Sequence, residues 1–136
     1  PPPPVVLQDE KRNGDFVRGQ IQASKVSACH DVSDGGVLVC IAEMALKSGI
    51  GATIQVPEGG VLPHAWLFGE DQGRYVVTTD NAKSLLAAAD KAGVAAMQIG
   101  ITGGQGLSLL GGAGETALEA LAQINEGWLP EFMGGA

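Results

Sequence analysis

A short apolar strand, a polar turn that ends in two glycines, and a long apolar helix follow one another over residues 26–48. The turn reads HDVSDGG, and VLVCIAEMALKS comes after it. Ser33 or Asp34 is expected to cap the helix, because a short side-chain oxygen accepts a hydrogen bond from an N–H group of the first turn. Apolar residues occupy most of the helix circumference, so we expect this helix to be largely buried.

Helical and extended patterns interleave along the whole chain. Apolar periodicity predicts helices over residues 9–24, 34–48, 81–92 and 114–125. Short runs rich in β-formers predict strands over residues 26–32, 51–56, 74–79, 94–102 and 107–110. Several strands follow one another without an intervening helix, which excludes a purely parallel sheet. We therefore expect an α+β fold, an α/β sandwich with a mixed, largely antiparallel sheet flanked by helices.

The two ends of the chain differ from its middle. Pro1–Pro4 have no backbone donor and predict an extended start, so residues 1–8 are interpreted as a proline-rich linker. Residues 9–136 are interpreted as one domain, as the length suggests. The proline-rich start indicates a piece of a longer protein. Near the other end, Trp128 and Phe132 are expected to cover the domain or to dock on a neighbour.

Composition restricts the partners and the setting of the protein. The chain has 15 acidic and 8 basic residues, a net charge of -7. No basic cluster offsets this charge, which argues against nucleic acid or an anionic membrane as a partner. Aromatic residues make up 4% of the chain, so the core must be aliphatic. No signal peptide, no membrane-spanning apolar run and no cysteine or histidine spacing typical of a metal site occurs. We therefore expect a cytoplasmic protein.

The turn over residues 30–36 is the first candidate ligand site. Glycines between a strand and a helix let an anion approach backbone N–H groups, and the helix dipole favours that anion. The candidate residues are His30, Asp31, Ser33, Asp34, Gly35 and Gly36. The pattern alone leaves a plain helix-capping turn open as the alternative. The stretch is not a Walker loop, because no Lys-Ser/Thr follows the glycines.

FGEDQG, over residues 68–73, is the second candidate. Glu70 and Asp71 are weak candidates for Mg²⁺, which binds through one or two carboxylates together with phosphate oxygens. Adjacent side chains on an extended chain point to opposite sides, so both carboxylates face one ion only if the chain turns there. A solvated turn is the alternative, in which Arg74 pairs with one of the two carboxylates.

No catalytic residue is predicted. Cys29 and His30 are adjacent, but neighbours on a strand face opposite ways and are not expected to act as a nucleophile and its base. No GxSxG motif is present. The third glycine cluster, ITGGQG over residues 101–106, is interpreted as a hairpin turn between the strands on either side of it.

Three stretches together resemble one known family. ACHDVSDGGVLVCIAEMAL, LFGEDQGRYVVTT and the upstream EKRNGDFVR are similar to the C-terminal domain of the aminoimidazole ribonucleotide synthase-related superfamily. Within it, the closest resemblance is to the purine-biosynthesis ligases that convert formylglycinamide ribonucleotide, glutamine and ATP to formylglycinamidine ribonucleotide. The resemblance extends over residues 1–130. It implies a fold like that of the C-terminal domain of aminoimidazole ribonucleotide synthase, truncated at its N-terminal strand.

The resemblance also implies cofactors and partners. ATP and Mg²⁺ are implied as cofactors, bound mainly by domains that this chain lacks. The implied partners are the remaining domains of the same synthetase, a glutaminase subunit and a small accessory subunit. A homodimer of the chain stays open, because an unpaired sheet edge invites a second copy.

Two roles of this piece stay open. In the first, residues 30–36 border the nucleotide and substrate cleft, without an individual catalytic role, and the piece is inactive alone. In the second, the piece is a purely structural half of a pseudo-dimer that holds a non-reacting nucleotide. A C-terminal domain of another superfamily member, such as aminoimidazole ribonucleotide synthase, is a further alternative.

Overall fold

The computed structural model describes residues 5–112 and 114–134, so Pro1–Pro4 lie outside the described residues. The helices in this part of the chain are α1 (Leu7–Gln22), α2 (Gly36–Ser48), α3 (Pro63–Phe68), α4 (Ala82–Lys91) and α5 (Leu118–Gly134). The strands are β1 (Ala28–Asp31), β2 (Ala52–Ile54), β3 (Tyr75–Thr78), β4 (Gly100–Thr102), β5 (Gly106–Leu109) and β6 (Glu115–Ala117). The chain divides into two compact units.

The first unit extends to Ile41 and then comprises Pro57–Gln98. Its sheet is the antiparallel pair β1–β3, in which Asp31 lies opposite Tyr75. The ladder continues beyond β1, because the Val32 N–H donates to the Arg74 carbonyl oxygen at 2.9 Å. This register places the HDVSDGG turn directly beside the FGEDQGR loop.

Aliphatic side chains form the core of this unit, as the low aromatic content predicts. Its buried apolar side chains are those of Val32, Val37, Cys40, Ile41, Leu67 and Ala89. Asn81 caps α4, since its side chain accepts a hydrogen bond from the Ser84 N–H at 3.0 Å. The short helix α3 was not predicted. It begins at Pro63, a residue suited to the first helical position.

The second unit comprises Ala42–Val56 and the described residues from Ile99 onward, and it contains a four-stranded mixed sheet in the order β4-β2-β5-β6. Strand β2 is antiparallel to β4 and parallel to β5. The predicted hairpin between the strands around ITGGQG is therefore wrong. The Gly103 N–H donates to the Gly51 carbonyl oxygen at 2.7 Å, and the Gly51 N–H donates to the Gly104 carbonyl oxygen at 3.0 Å. These bonds bring the start of β2 between the two strands that were expected to pair.

The end of the described chain also differs from the prediction. Residues 115–117 pair with β5 as strand β6, so the helix predicted over residues 114–125 begins later, at Leu118. The helix then continues to Gly134, past the predicted end at residue 125, with Pro130 inside it. Leu118 is buried, whereas Ile124 is 75% exposed.

The fold class is α+β with antiparallel and mixed sheets, as predicted from the sequence. Two observed element boundaries differ from the predicted ones. Helix α1 begins at Leu7, so residues 7 and 8 are helical rather than part of a linker, and β4 covers only the last three residues of the strand predicted over 94–102. None of the described helices combines the length and the apolar character needed to cross a lipid bilayer.

Candidate functional site

The HDVSDGG turn connects β1 to α2 through two glycines with left-handed backbone. Gly35 has φ +82° and Gly36 has φ +75°, values that L side chains rarely adopt. The Gly36 N–H donates to the Ser33 carbonyl oxygen at 3.1 Å and closes the turn. The helix begins at Gly36, so the predicted capping residues Ser33 and Asp34 lie earlier, within the turn, and both are exposed.

The second glycine also permits a close backbone contact. A Cβ at Gly36 would lie 2.6 Å from the carbonyl carbon of Phe68 and 2.8 Å from the carbonyl oxygen of Leu67. Gly36 itself is buried, so the turn rests directly on the chain that leads into the FGEDQG loop. Two stretches that are separate in the sequence are thus in van der Waals contact through their backbones.

A carboxylate from the FGEDQG loop holds the turn. The Gly35 N–H donates to Glu70 Oε1 at 2.9 Å. Arg74 Nη2 donates to the Gly69 carbonyl oxygen and lies 3.4 Å from Asp71 Oδ2. One of the turn amides expected to receive an external anion is therefore bonded to an anion that the protein itself provides.

The two weak metal candidates have different partners. Glu70 bonds to the Gly35 amide, whereas Asp71 pairs with Arg74. Within residues 5–112 and 114–134, no group of three or more His, Cys, Asp or Glu side chains is placed to hold a metal ion. Mg²⁺ bound here would need further ligands, such as the phosphate oxygens of a nucleotide.

A pocket of about 330 Å³ lies between the two stretches. Its lining includes Glu10, Asp31, Ser33, Asp34, Glu70 and Arg74. Four carboxylates and one guanidinium give the pocket an excess of negative charge, so a phosphate group is repelled unless a cation accompanies it. Three of the six predicted turn residues, Asp31, Ser33 and Asp34, line this pocket.

His30 is held by its neighbour in the chain. Its Nδ1 lies 2.6 Å from the carbonyl oxygen of Asp31 and 3.5 Å from Asp31 Oδ1. Burial raises the pKa of the adjacent Cys29 thiol, and the negative charge of Asp31 raises it further. The thiolate is the nucleophilic form of cysteine, so a raised pKa weakens Cys29 as a nucleophile at neutral pH.

Sequence reasoning missed the contribution of α1 to the pocket. Glu10 lines it, and the Asn13 side chain donates to the Gly73 carbonyl oxygen at 3.1 Å. Glu10 Oε1 and Arg74 Nε are buried there and have no hydrogen-bond partner among the described residues. The available signal was the position of Glu10 and Asn13 on one side of α1 with Val17, at spacings of three and four residues.

We expect Glu70→Ala to loosen the turn measurably. Without the carboxylate, the Gly35 N–H loses its acceptor, at a cost of about 1 kcal/mol, equivalent to roughly a five-fold change in a local opening equilibrium. Amide hydrogen exchange at Gly35 should accelerate by about that factor. Asp71→Ala is the matched control, since Asp71 contacts Arg74 rather than the turn. Equal exchange at Gly35 in both variants would show that Glu70 does not hold the turn.

The fold and the two contacting stretches agree with one domain family. The family described as AIR synthase related protein, C-terminal domain, matches residues 3–112. The chain belongs to this family. Within it, the chain is 52% identical over 134 residues to the phosphoribosylformylglycinamidine synthase subunit PurL of Parvibaculum lavamentivorans, a match that covers 97% of this chain and 18% of that protein. It is 51% identical over 138 residues to the PurL subunit of Rhodopseudomonas palustris, covering 98% of this chain and 18% of that protein.

Solved structures show the same fold in this family. T. maritima PurL complexed with ATP matches with a TM-score of 0.69 and 22% identity, over 82% of this chain and 21% of that chain. T. maritima PurL complexed with FGAR matches with a TM-score of 0.70 and 22% identity, over 83% of this chain and 21% of that chain. The chain thus spans about a fifth of the length of the proteins it resembles.

Proposed function

We propose that this chain is the C-terminal domain of a phosphoribosylformylglycinamidine synthase, synthetase subunit. The identity of 52% to a PurL subunit, over 97% of this chain, carries the proposal. The parent protein is then an ATP-dependent carbon–nitrogen ligase. It converts formylglycinamide ribonucleotide, glutamine and ATP to formylglycinamidine ribonucleotide in the cytoplasm, with glutamine as the donor of the amide nitrogen.

In this proposal the piece supports the catalytic machinery and is inactive alone. The HDVSDGG turn borders the nucleotide and substrate cleft, and ATP and Mg²⁺ are bound mainly by other domains. The contact between Gly35 and Glu70 supports a structural role, because the turn is held by the protein's own carboxylate. The excess of carboxylates in the pocket supports it too, since a nucleotide phosphate is accepted there only with cations supplied from elsewhere.

The proposed partners follow from the same relationship. They are the remaining domains of the synthetase, a glutaminase subunit and a small accessory subunit. A solved neighbour that supports this assignment is the structure of PurLQS from Thermotoga maritima, which matches with a TM-score of 0.69. Aminoimidazole ribonucleotide synthase is the less favoured parent, since the curated relatives at 50–53% identity are PurL subunits.

Synthetase activity tests the proposal directly. The full-length parent, supplied with formylglycinamide ribonucleotide, ATP, Mg²⁺ and ammonia, is expected to form formylglycinamidine ribonucleotide. The 136-residue chain is expected to form none under the same conditions. An inactive parent contradicts the assigned reaction, and product from the short chain alone contradicts the supporting role.

Calorimetry with ATP distinguishes a purely structural role of this chain from a nucleotide-binding role. The short chain is expected to show no ATP binding in the micromolar range, because the pocket offers four carboxylates and a single guanidinium. Micromolar affinity for ATP without the other domains would show that this piece is a nucleotide site in its own right.

A further inference from the structure

Helix α5 is covered by its own unit only at its beginning. Leu118 is 7% exposed, and its N–H donates to the Gln105 carbonyl oxygen at 2.9 Å, next to the start of β5. Leu121 is half-buried. From Ile124 onward the large apolar side chains are exposed. At 1.5 Å per residue, the 11 residues from 124 to 134 extend about 16 Å beyond this anchored start.

The exposed part of α5 is a contiguous apolar surface. Five large side chains on it are more than half exposed, and we call them the α5 surface: Ile124, Trp128, Leu129, Phe132 and Met133. The rings of Trp128 and Phe132 stack, with centroids 5.4 Å apart and planes inclined by 10°. Single exposed apolar residues are common, but a cluster of this kind marks an interaction surface, and aromatic residues dominate the binding energy of such surfaces.

Charge argues against a second copy of the chain as the occupant. Glu119, Glu126 and Glu131 also lie on α5, and the helix contains no lysine or arginine. Two copies of the α5 surface would bring four carboxylates together, Glu126 and Glu131 of each copy, in chains of net charge -7 each. An occupant that offers an apolar groove with Lys and Arg at its rim complements both the apolar side chains and the carboxylates.

The extent of the sequence matches indicates where that occupant lies. The family model ends at residue 112, before β6 and α5. The PurL relatives align over 97–98% of this chain, so their alignments continue into α5. Helix α5 thus lies outside the part of the chain that the family model matches, but inside the part that aligns with the PurL relatives. This chain spans only 18% of the length of such a relative. Under the proposed function, the parent polypeptide is about five times as long as this chain and offers further domains that can cover α5.

We propose that the α5 surface docks on another domain of the same synthetase polypeptide, in an apolar groove rimmed by basic side chains. The inference rests on the proposed function, under which the chain is part of a longer PurL-type protein. Docking buries Trp128 and Phe132 and pairs the neighbouring glutamates. The helix then fastens this domain to the rest of the enzyme.

Oxidation of native methionines tests the docking without any substitution. Met133 is 68% exposed on the α5 surface, and Met97 is 60% exposed elsewhere in the chain. The full-length parent is treated with hydrogen peroxide, and each methionine is followed by peptide mass spectrometry in native buffer and in urea. We expect Met133 to be oxidised at least ten-fold more slowly in native buffer than in urea, and Met97 to be much less protected.

A second experiment places a negative charge on the α5 surface. Phe132→Glu in the full-length parent should bring the native oxidation rate of Met133 close to its rate in urea and leave the rate of Met97 unchanged. Native oxidation of Met133 as fast as in urea, before any substitution, overturns the inference. Protection that increases with protein concentration, or that requires added subunits, overturns it as well, because the occupant is then a second copy or a separate chain. A protected Met133 in a parent without synthetase activity contradicts only the proposed reaction.

Discussion

Replacing Gly36 with alanine is expected to destabilise the protein by about 2–5 kcal/mol. The left-handed backbone at φ +75° costs an L residue about 1–2 kcal/mol. The added methyl group would lie 2.6 Å from the backbone of Phe68, and relieving such an overlap costs about 1–3 kcal/mol more. Because the neighbour is main chain, a side-chain rotation cannot relieve the contact. Urea unfolding of the wild-type and Gly36→Ala chains measures the difference.

Gly49→Ala is the matched control at the other end of the same helix. Gly49 has nearly the same backbone, φ +70°, but among the described residues no atom beyond Gly49 and its two chain neighbours lies within 4 Å of the position that its Cβ would take. The loss of stability in Gly49→Ala should therefore be limited to the cost of the left-handed backbone, about 1–2 kcal/mol. Equal losses in the two variants would mean that the contact between the turn and the FGEDQG loop contributes nothing to stability.

Gly36→Ala should also weaken the hydrogen bond between Gly35 and Glu70 at the candidate site. Separation of the turn from Phe68 also separates Gly35 from Glu70, because Glu70 follows Phe68 by two residues. Amide exchange at Gly35 should therefore accelerate in Gly36→Ala and stay unchanged in Gly49→Ala. This comparison distinguishes a local rearrangement of the turn from a uniform loss of stability.

Replacing Ile54 with alanine is expected to cost about 2–5 kcal/mol. Ile54 lies on β2 in the middle of the four-stranded sheet and is 2% exposed. Truncation removes apolar contacts and leaves a cavity that the surrounding strands fill only in part. Urea unfolding measures the loss, and Ile54→Val should lose only about 0.5–1.5 kcal/mol because one methyl group is removed.

Ile101→Ala is the control on the neighbouring strand. Ile101 lies on β4 opposite Thr53, one residue from Ile54 along β2, and it is 72% exposed. An exposed position away from special contacts changes stability by about 0.5 kcal/mol or less. A loss at Ile101 as large as that at Ile54 would show that the exposed side of β4 is covered in solution.

The strand-turn-helix segment was predictable because its signals are local. Two glycines, polar turn residues and a continuous apolar run each act over a few residues, and β1, the turn and α2 occur where they indicate. The pairing of Arg74 with a neighbouring carboxylate was equally local, since Asp71 lies three residues away in the same loop. The aliphatic core followed from composition alone.

The pairing of strands could not be predicted in the same way. Strands β4 and β5 are close in sequence and carry a glycine turn between them, which favours a hairpin in any local interpretation. They are separated in the sheet by β2, about 50 residues earlier in the chain. Residues 115–117 likewise look helical on local grounds, and their pairing with β5 makes them a strand.

By itself the sequence determined the fold class, the family and the two polar stretches HDVSDGG and FGEDQG as separate candidates, because these depend on short-range patterns and on similarity along the chain. Only the tertiary structure decided that Glu70 bonds to the Gly35 amide and that Glu10 reaches the same pocket. It also decided that the apolar side of α5 continues past the core that covers its beginning. The physical reason is that hydrogen-bond partners and burial depend on which distant segments lie side by side, and separation along the chain does not specify this.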